Sequence, residues 1–337
     1  MTRKKRYVSH SSISDYTLCP RKYRLKRVDR IRSVDLKSAF FFGSAIDAAV
    51  EAIFLRKKKD LTEEEAKLVE RDYLNVFQEQ LNKAKHPITY EEVQVAKNPN
   101  VSYSKADYQP ELLGDESLSD IRDFALKLEF DTPDLEDMQE LLVEVMESKS
   151  KDEDIKVLQN YINWNCLLEK GTLILSEVYN WCEENVKETL SVQREIRVED
   201  ENDVLVGWND LEVVLKNNKH VLVDFKTSSI KYDSNDANES QQLTIYGEML
   251  GLDDVAFLVF EKNIRKREPR VRWQFIEGKL TEEQKYKTFN DIEEALEGID
   301  NENFPKNLKG CYRYGKCEYF DFCKSKNMKG LVKVEKK

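Results

Sequence analysis

The chain has 337 residues, 40% of them hydrophobic, which is enough for one large folded domain or two smaller ones and excludes general disorder. No apolar stretch approaches the length of a membrane span, and no signal-peptide pattern follows the basic opening segment. The six cysteines therefore indicate a cytoplasmic protein rather than a disulfide scaffold, and the net charge of −10 argues against a uniformly basic nucleic-acid binder.

The charge is unevenly distributed along the chain. Residues 1–37 contain twelve Lys and Arg against three Asp, a local charge of about +9. Residues 107–160 contain 17 acidic and 5 basic residues, a local charge of about −12. A second basic cluster consists of Lys262, Arg265, Lys266, Arg267, Arg270 and Arg272. The acidic total thus conceals two positive regions, and charge acts locally where a ligand binds.

The first half of the chain has a helical pattern. Ser12 followed by Asp15 is typical of a capping box and predicts the start of a helix. Helices are also predicted over 39–55, which is rich in apolar residues, and over the charged, amphipathic segment 61–85. Residues 86–120 contain three prolines and little periodicity, which predicts a long irregular loop. Further helices are expected over 118–130, 134–146 and 155–189.

The pattern changes near residue 190, where apolar and polar residues begin to alternate. Strands are predicted over 190–198, 204–215, 220–226, 255–260 and 270–276. Asn217-Asn218 marks the turn of a hairpin. Helices are predicted over 241–250 and 281–297, with Thr281 near the cap of the second. The tail from Gly310 is loop-like, aromatic and rich in cysteine.

The sharpest local signal is Asp210 followed by Asp224-Phe225-Lys226. Because side chains alternate along a strand, Asp224 and Lys226 share a face with Leu222. Asp210 reaches the same edge if the hairpin closes. Two carboxylates and a peptide carbonyl suit Mg²⁺ or Mn²⁺, which would polarise a phosphodiester, while Lys226 would stabilise the developing charge or orient the attacking water. The alternative is a simple surface ion pair between Asp224 and Lys226.

The second signal is the spacing of three cysteines in the tail. Cys311, Cys317 and Cys323 are each separated by five residues, and Cys19 supplies a fourth thiol. Four thiolates bind either an iron–sulfur cluster or zinc, and zinc sites more often use tighter pairs. The alternative is a set of unrelated free thiols. The remaining two cysteines, Cys166 and Cys182, are expected to be small buried core residues.

Two helices carry weaker signals. Gln242 and Tyr246 lie one turn apart on one helix face, where they would contact a phosphate, contact catalytic groups or simply pack. Gly43, Asp47 and Glu51 recur at four-residue intervals in an otherwise apolar helix. This stripe is either a source of metal ligands or the solvated face of the helix.

Taken together, these residues resemble the RecB-like nucleases of the PD-(D/E)XK superfamily. The resemblance is carried by the order of Cys19-Pro20-Arg21-Lys22-Tyr23, Gly43…Asp47, Glu195, Gly207-x-x-Asp210, Asp224-x-Lys226-Thr227, Gln242-x-x-x-Tyr246 and the terminal cysteine triplet. The most similar branch contains an iron–sulfur cluster and includes the CRISPR-associated exonucleases and the AddB nuclease domain. The resemblance covers both ends of the chain and residues 190–260, but not the middle third.

The resemblance implies a fold and a site. The fold is an α/β restriction-endonuclease-like core, a mixed β-sheet flanked by helices, with a large helical insertion and an iron–sulfur clip that joins the two termini. The implied domains are residues 1–60, 61–189, 190–280 and 281–337. The implied catalytic residues are Asp210, Asp224, Lys226, Gln242, Tyr246 and Glu195. The implied metal ligands are Asp210, Asp224 and Asp47, and those of a [4Fe–4S] cluster are Cys19, Cys311, Cys317 and Cys323.

The resemblance also implies a partner and an activity. DNA is the expected partner, held by Arg21, Lys22 and Tyr23, with a helicase or recombination protein acting in trans and no membrane. The expected activity is metal-dependent exonuclease action on single strands or ends in recombination or repair. This family commonly has His at the position of Asp47. The alternative is therefore a catalytically weak or inactive iron–sulfur module of the same fold that binds DNA ends.

Overall fold

The structure is a computed structural model, and it describes most of the chain. The described residues are 5–33, 38–85, 152–199, 203–228, 230–262, 271–313 and 316–334. The predicted loop over 86–120, the predicted helices over 118–130 and 134–146, and most of the acidic segment and the second basic cluster lie outside these ranges.

Six strands form one mixed sheet, and two short strands form a second. The strands are β1 (Arg6–Ser9), β2 (Ile31–Ser33), β3 (Val186–Glu199), β4 (Asp203–Leu215), β5 (His220–Ser228), β6 (Asp254–Glu261), β7 (Trp273–Lys279) and β8 (Leu331–Lys333). In the large sheet the order is β1-β4-β5-β6-β7, with β3 also paired to β4. β1 is parallel to β4 and β5 is parallel to β6, whereas the other pairs are antiparallel.

Helices cover both faces of the large sheet. They are α1 (His10–Leu18), α2 (Pro20–Tyr23), a π-helical turn (Arg24–Val28), α3 (Ser38–Leu55), α4 (Glu63–Val69), α5 (Tyr73–Lys85), α6 (Asp152–Asn185), α7 (Asp236–Glu239), α8 (Gln241–Leu250), α9 (Glu282–Asp300), a 3₁₀ turn (Leu308–Cys311) and α10 (Phe320–Ser325). This arrangement is the mixed sheet flanked by helices that the sequence predicts.

The two faces of the sheet bury two separate cores. In β5, Val221, Val223 and Phe225 pack with α3, α5 and α6, whereas Leu222 faces the opposite core with α1, α8 and α9. The strand alternates as predicted, because it lies between two helical layers. Apolar side chains of β6 likewise alternate between the two cores, as expected of a strand that is covered on both faces.

The C-terminal tail returns to the N-terminal segment. β8 pairs antiparallel with β2, so Leu331 lies opposite Ser33. The Tyr319 hydroxyl donates a hydrogen bond to the Ile31 carbonyl at 2.9 Å, and Tyr319 is 1% exposed. The side-chain amide of Asn307 donates to the Leu18 carbonyl at 2.9 Å. The two ends of the chain are therefore joined by ordinary hydrogen bonds and packing.

Several predicted boundaries are wrong for local reasons. Helix α1 begins after Ser9, which forms a capping box with Ser12, and Asp15 instead forms buried ion pairs with Lys26 and Arg27. The segment 61–85 contains two helices rather than one, because the Asp72 carboxylate accepts hydrogen bonds from the first backbone N–H groups of α5.

Later boundaries differ less. The strand predicted from residue 190 begins at Val186, directly after α6 ends. The strand predicted over 270–276 runs from Trp273 to Lys279. Helix α8 and the Thr281 cap of α9 agree with the prediction. Strand β1 and the small sheet are too short for a pattern to reveal them.

Candidate active site

The candidate site lies where the large sheet splits. Strand β3 occupies one edge of β4 along its length, so β1 and β5 share the other edge. Pairing with β1 ends at Val206, and pairing with β5 begins at Leu211. Since β1 is parallel to β4 and β5 is antiparallel to it, the carboxyl ends of β1 and β5 face each other across residues 207–210. Asp210 lies in this gap.

Three predicted site residues meet there. The Asp210 Oδ2 accepts a hydrogen bond from the Phe225 backbone N–H at 3.0 Å. The Lys226 Nζ lies 2.6 Å from Asp224 Oδ2. Asp224 is 2% exposed, so the carboxylate of this ion pair is buried, whereas the Lys226 side chain is partly exposed. The hairpin therefore closes as predicted and brings both carboxylates to the lysine.

Burial and mutual repulsion control the charges of this group. Desolvation, then the neighbouring Asp224, raises the pKa of Asp210. Desolvation also raises the pKa of Asp224, although Lys226 opposes it. Desolvation lowers the pKa of Lys226, but Asp224 and Asp210 outweigh it, so the net shift is upward and the ammonium stays charged. One lysine thus faces two carboxylates whose ionisation is costly.

Helix α8 places two more predicted residues beside this group. The Lys226 Nζ donates a 3.5 Å hydrogen bond to Gln242 Oε1. Burial raises the pKa of Tyr246, and a hydrogen bond from the Trp208 backbone opposes the rise. A Cβ at Gly207 would lie 2.3 Å from Tyr246 Cε1. Glycine in the Gly207-x-x-Asp210 motif therefore makes room for the Tyr246 ring.

Helix α3 contributes a third carboxylate. Desolvation raises the pKa of Asp47 to about 6, Lys226 lowers it, and Asp224 raises it. The Asp47 side chain is exposed, so it reaches solvent from a position close enough to interact with Lys226 and Asp224. Glu51 lies one turn further along the same stripe, but burial and Glu65 of α4 determine its raised pKa. The stripe thus divides between the site and the neighbouring helix.

His10 is a residue that the sequence analysis missed. It begins α1 immediately after β1, at the strand end that faces Lys226 across the gap. Burial, then the charge of Lys226, lowers the pKa of His10 to about 4, so the imidazole is neutral at pH 7. No local motif marks it, because the parallel pairing of β1 with β4 is what places it there.

Trp208 is an exposed aromatic residue of β4 near the gap. It lies two residues before Asp210 in β4, and 55% of it is exposed. Glu195, a predicted catalytic residue, lies directly opposite Trp208 on β3 and is also exposed. Among the described interactions of Asp210, Asp224 and Lys226, none involves Glu195.

The carboxylates fit a hard divalent cation by their chemistry. Asp224 Oδ2 faces the Lys226 ammonium, whereas Asp224 Oδ1 is buried without a hydrogen-bond partner. A buried carboxylate left in that state is costly unless a cation compensates it. In the described part of the chain, however, no three His, Cys, Asp or Glu side chains are assembled as a metal-binding group. The fit therefore rests on the oxygen donors and on Asp224 Oδ1, which has no hydrogen-bond partner.

The four predicted cluster cysteines come from both ends of the chain and lie in the same region, but within the described residues they are not assembled as a metal-binding group. Cys19 Sγ accepts a 3.4 Å hydrogen bond from the Asn307 backbone N–H, and the Cys317 N–H donates to the Cys311 carbonyl at 2.8 Å. Burial is the main cause of the raised pKa of Cys323, and Cys19 and Cys311 contribute to it. All four are free thiols.

The remaining two cysteines are Cys166 and Cys182. Cys182 is 1% exposed in the core, as predicted, and the side chain of Cys166 is outside the described part.

Lys22 Nζ, one of the predicted DNA contacts, lies 3.8 Å from a Glu318 oxygen of the tail. The Tyr23 ring stacks on Phe304, with 6.1 Å between centroids. The backbone N–H of Arg21 donates to the Pro305 carbonyl at 3.0 Å. Residues 21–23 thus contact the C-terminal segment.

Comparison with known proteins gave one family match. The family model described as "PD-(D/E)XK nuclease superfamily" matches residues 7–110 and 116–324, which is most of the chain. A search of curated proteins gave no match. Among solved structures, one described as "Crystal structure of SSO0001" is 15% identical, with 57% of this chain and 83% of that chain covered and a TM-score of 0.27. In the described residues, no helix has the length and apolar character needed to cross a membrane.

Proposed function

Because the chain belongs to the PD-(D/E)XK nuclease superfamily, we propose that it is a deoxyribonuclease that uses Mg²⁺ or Mn²⁺ held by Asp210 and Asp224. The observation that carries this proposal is the buried group of two carboxylates and one charged lysine at the split in the sheet. Removing such charges from water costs several kcal/mol or more per ion, which is hard to explain as a device for stability alone.

The site residues have complementary roles in this reaction. Asp210 and Asp224 would hold the metal, with Asp47 as a third oxygen ligand at the opening. A bound metal would polarise the phosphodiester and make its bound water more acidic. Lys226 orients the attacking water or stabilises charge on the phosphate, because its ammonium is fixed between Asp224 and Gln242. Tyr246 packs against Gly207 and supports this arrangement.

The substrate we propose is single-stranded DNA or a DNA end. The protein would act on it as an exonuclease in recombination or repair. Asp47 and Trp208 are both exposed, and Trp208 lies two residues before Asp210 in β4. An exposed indole two residues from a catalytic carboxylate is a natural surface on which an unpaired base stacks. Arg21, Lys22, Tyr23 and Glu195 remain proposed participants, and a helicase or recombination protein in trans remains a proposed partner.

We propose further that Cys19, Cys311, Cys317 and Cys323 bind a [4Fe–4S] cluster, as in the RecB-like branch with an iron–sulfur clip. The support is that four free thiols from the two ends of the chain lie in the same region, although they are not assembled as a closed ligand set. Such a cluster would close a loop that spans residues 19–311, in addition to the hydrogen bonds of the small sheet. The division into segments 1–60, 61–189, 190–280 and 281–337 is part of this proposal.

A cleavage assay tests the nuclease. The full-length protein is incubated with end-labelled linear single-stranded DNA, circular single-stranded DNA and blunt duplex, with Mg²⁺, Mn²⁺ or EDTA. We expect metal-dependent digestion of the linear strand, sparing of the circle, and loss of digestion in Lys226→Ala. Lys219→Ala is the matched control, because Lys219 lies before the same strand and pairs with Asp254 and Glu277. Equal digestion by wild type and Lys226→Ala would refute the assignment. Binding without cleavage under both metals would favour the inactive end-binding module.

Anaerobic purification tests the cluster. We expect a visible absorption band and about four iron atoms per chain, both lost in Cys311→Ser. Cys182→Ser is the control, since Cys182 is buried in the core away from the tail. A colourless protein that contains zinc after anaerobic purification would exclude the iron–sulfur cluster.

A further inference from the structure

A pair of lysines lies beside the proposed active site and takes no part in it. Lys262 follows β6, and its backbone N–H donates to the Ser228 carbonyl at 2.8 Å. Ser228 ends β5, two residues or about 7 Å beyond Lys226. The Lys262 Nζ lies 5.7 Å from the centroid of the Phe42 ring, on the helix that carries Asp47. The ammonium is therefore held at the border of the site.

Lys170 of α6 precedes Gly171, which lies directly against the Phe77 ring, and Phe77 packs edge-on against Phe42 with 6.1 Å between the ring centroids. Helix α6 therefore brings a second positive charge to the Phe42 region where Lys262 lies. Desolvation, then the charge of Lys170, lowers the pKa of Lys262. Both lysines are half-buried. Within the described ranges, neither lysine forms an ion pair with a carboxylate. This arrangement contrasts with Lys219, whose charge is balanced by two acidic residues. Two neighbouring, partly desolvated cations without a counter-ion are unfavourable in the free protein and favour an anion.

We propose that Lys170 and Lys262 form a phosphate-binding site for a nucleic acid strand that passes through the active site. This inference rests on the proposed nuclease function. A single strand of several nucleotides reaches both Lys226 and this pair. Phe42 holds Lys262 in place by a cation–π contact, so the charge is preorganised rather than free to move. The pair would keep the strand in register while the phosphate next to Lys226 is cleaved.

The experiment measures the affinity for a fluorescein-labelled single-stranded oligonucleotide in EDTA at several salt concentrations. The variants are Lys170→Gln, Lys262→Gln and Lys262→Arg, with Lys219→Gln as the matched control. We expect each Gln variant at the pair to weaken binding roughly fivefold at low salt. The association constant K falls as salt rises, and we also expect the slope of log K against log salt to become less steep by about 0.7 for each lost phosphate contact. Lys262→Arg and Lys219→Gln should retain the wild-type affinity and slope.

Two further readouts separate binding from a structural role. With Mg²⁺ or Mn²⁺, the Lys170→Gln variant should show a higher KM and an unchanged kcat. Its Tm should be equal to or above that of the wild type, because the substitution removes repulsion between like charges. Unchanged affinity in both Gln variants would overturn the proposal and leave the nuclease assignment intact, as would an unchanged salt slope or a lowered Tm in Lys170→Gln. Absence of DNA binding and cleavage by the wild-type protein would instead remove the proposed function, and this inference with it.

Discussion

The side chain of Asp210 and the backbone of Phe225 join two strands at the point where their regular pairing has ended. The Asp210 Oδ2 accepts the Phe225 N–H at 3.0 Å, although the described pairing of β4 with β5 stops at Leu211 and Val223. A carboxylate therefore takes the place of a backbone carbonyl and is fixed next to Asp224. This single hydrogen bond connects the sheet topology to the chemistry of the site.

Asp210→Asn should separate stability from activity. Folding raises the pKa of Asp210, so the folded state binds its proton more tightly, and stability is lost as pH rises through that pKa. Asn keeps an acceptor for Phe225 but carries no charge. We therefore expect a gain of roughly 1 kcal/mol in unfolding free energy at pH 8, little change at pH 4, and a loss of cleavage on the order of 1,000-fold. Denaturant unfolding and the cleavage assay measure the two effects.

Asp203→Asn is the control on the same strand. Asp203 accepts two hydrogen bonds from the Arg6 guanidinium, at 2.6 and 2.7 Å. This substitution should lower stability and spare cleavage, because it removes a salt bridge far from the gap. A destabilised Asp210→Asn variant would contradict the view that the two carboxylates repel each other.

Gly207→Ala should disturb the site through packing. Its Cβ would lie 2.3 Å from Tyr246 Cε1, a distance at which the ring must move. We expect a loss of about 1–3 kcal/mol in unfolding free energy and reduced cleavage, and Tyr246→Leu in the same chain should partly restore the stability. Gly43→Ala is the comparison, since a Cβ at Gly43 meets no atom within 4 Å. In that helix, Ala should stabilise by about 0.5–1 kcal/mol. Equal effects of the two substitutions would rule out the proposed role of Gly207.

Tyr319→Phe tests the attachment of the tail. Phenylalanine lacks only the hydroxyl of tyrosine. The substitution therefore removes the group that donates to the Ile31 carbonyl and leaves this buried carbonyl without that partner. We expect a loss of about 1–3 kcal/mol, concentrated in the tail. Hydrogen exchange should become faster at β2 and β8 and remain unchanged at β5. Uniformly faster exchange across both sheets would show that the tail and the core unfold together.

The sequence predicts much of this site because its main signals are local. Alternation along β5 placed Asp224 and Lys226 on one face, and the Asn217-Asn218 turn brought Asp210 to them. His10 had no such signal, since its position depends on a parallel pairing between segments about 200 residues apart. The Lys170 and Lys262 pair was missed for a similar reason, because only the packing of α6 around Phe77 and Phe42 brings the two lysines to one region. Local patterns thus predict elements and motifs, and long-range pairing decides which motifs meet.

Asp47 provides a test in which pH dependence and activity are linked. Its pKa rises to about 6 on folding from an ordinary value near 3.8, mainly because of desolvation. The folded state therefore holds a proton that the unfolded chain releases, and stability falls as pH rises between these values. Asp47→Asn should remove this loss. Because the side chain is partly exposed and solvent screens it, we expect a gain of about 1 kcal/mol at pH 8 that disappears near pH 4.

Glu51→Gln is the matched control for Asp47→Asn. Glu51 lies on the same stripe of α3, and burial also raises its pKa, but its charged neighbour is Glu65 rather than the catalytic group. Both substitutions should therefore raise stability at pH 8, as measured by denaturant unfolding across the pH range. Only Asp47→Asn should reduce metal-dependent cleavage, by about tenfold or more, since only Asp47 faces Asp224 and Lys226. Full cleavage by Asp47→Asn would remove Asp47 from the metal site and leave Asp210 and Asp224 as its proposed carboxylate ligands.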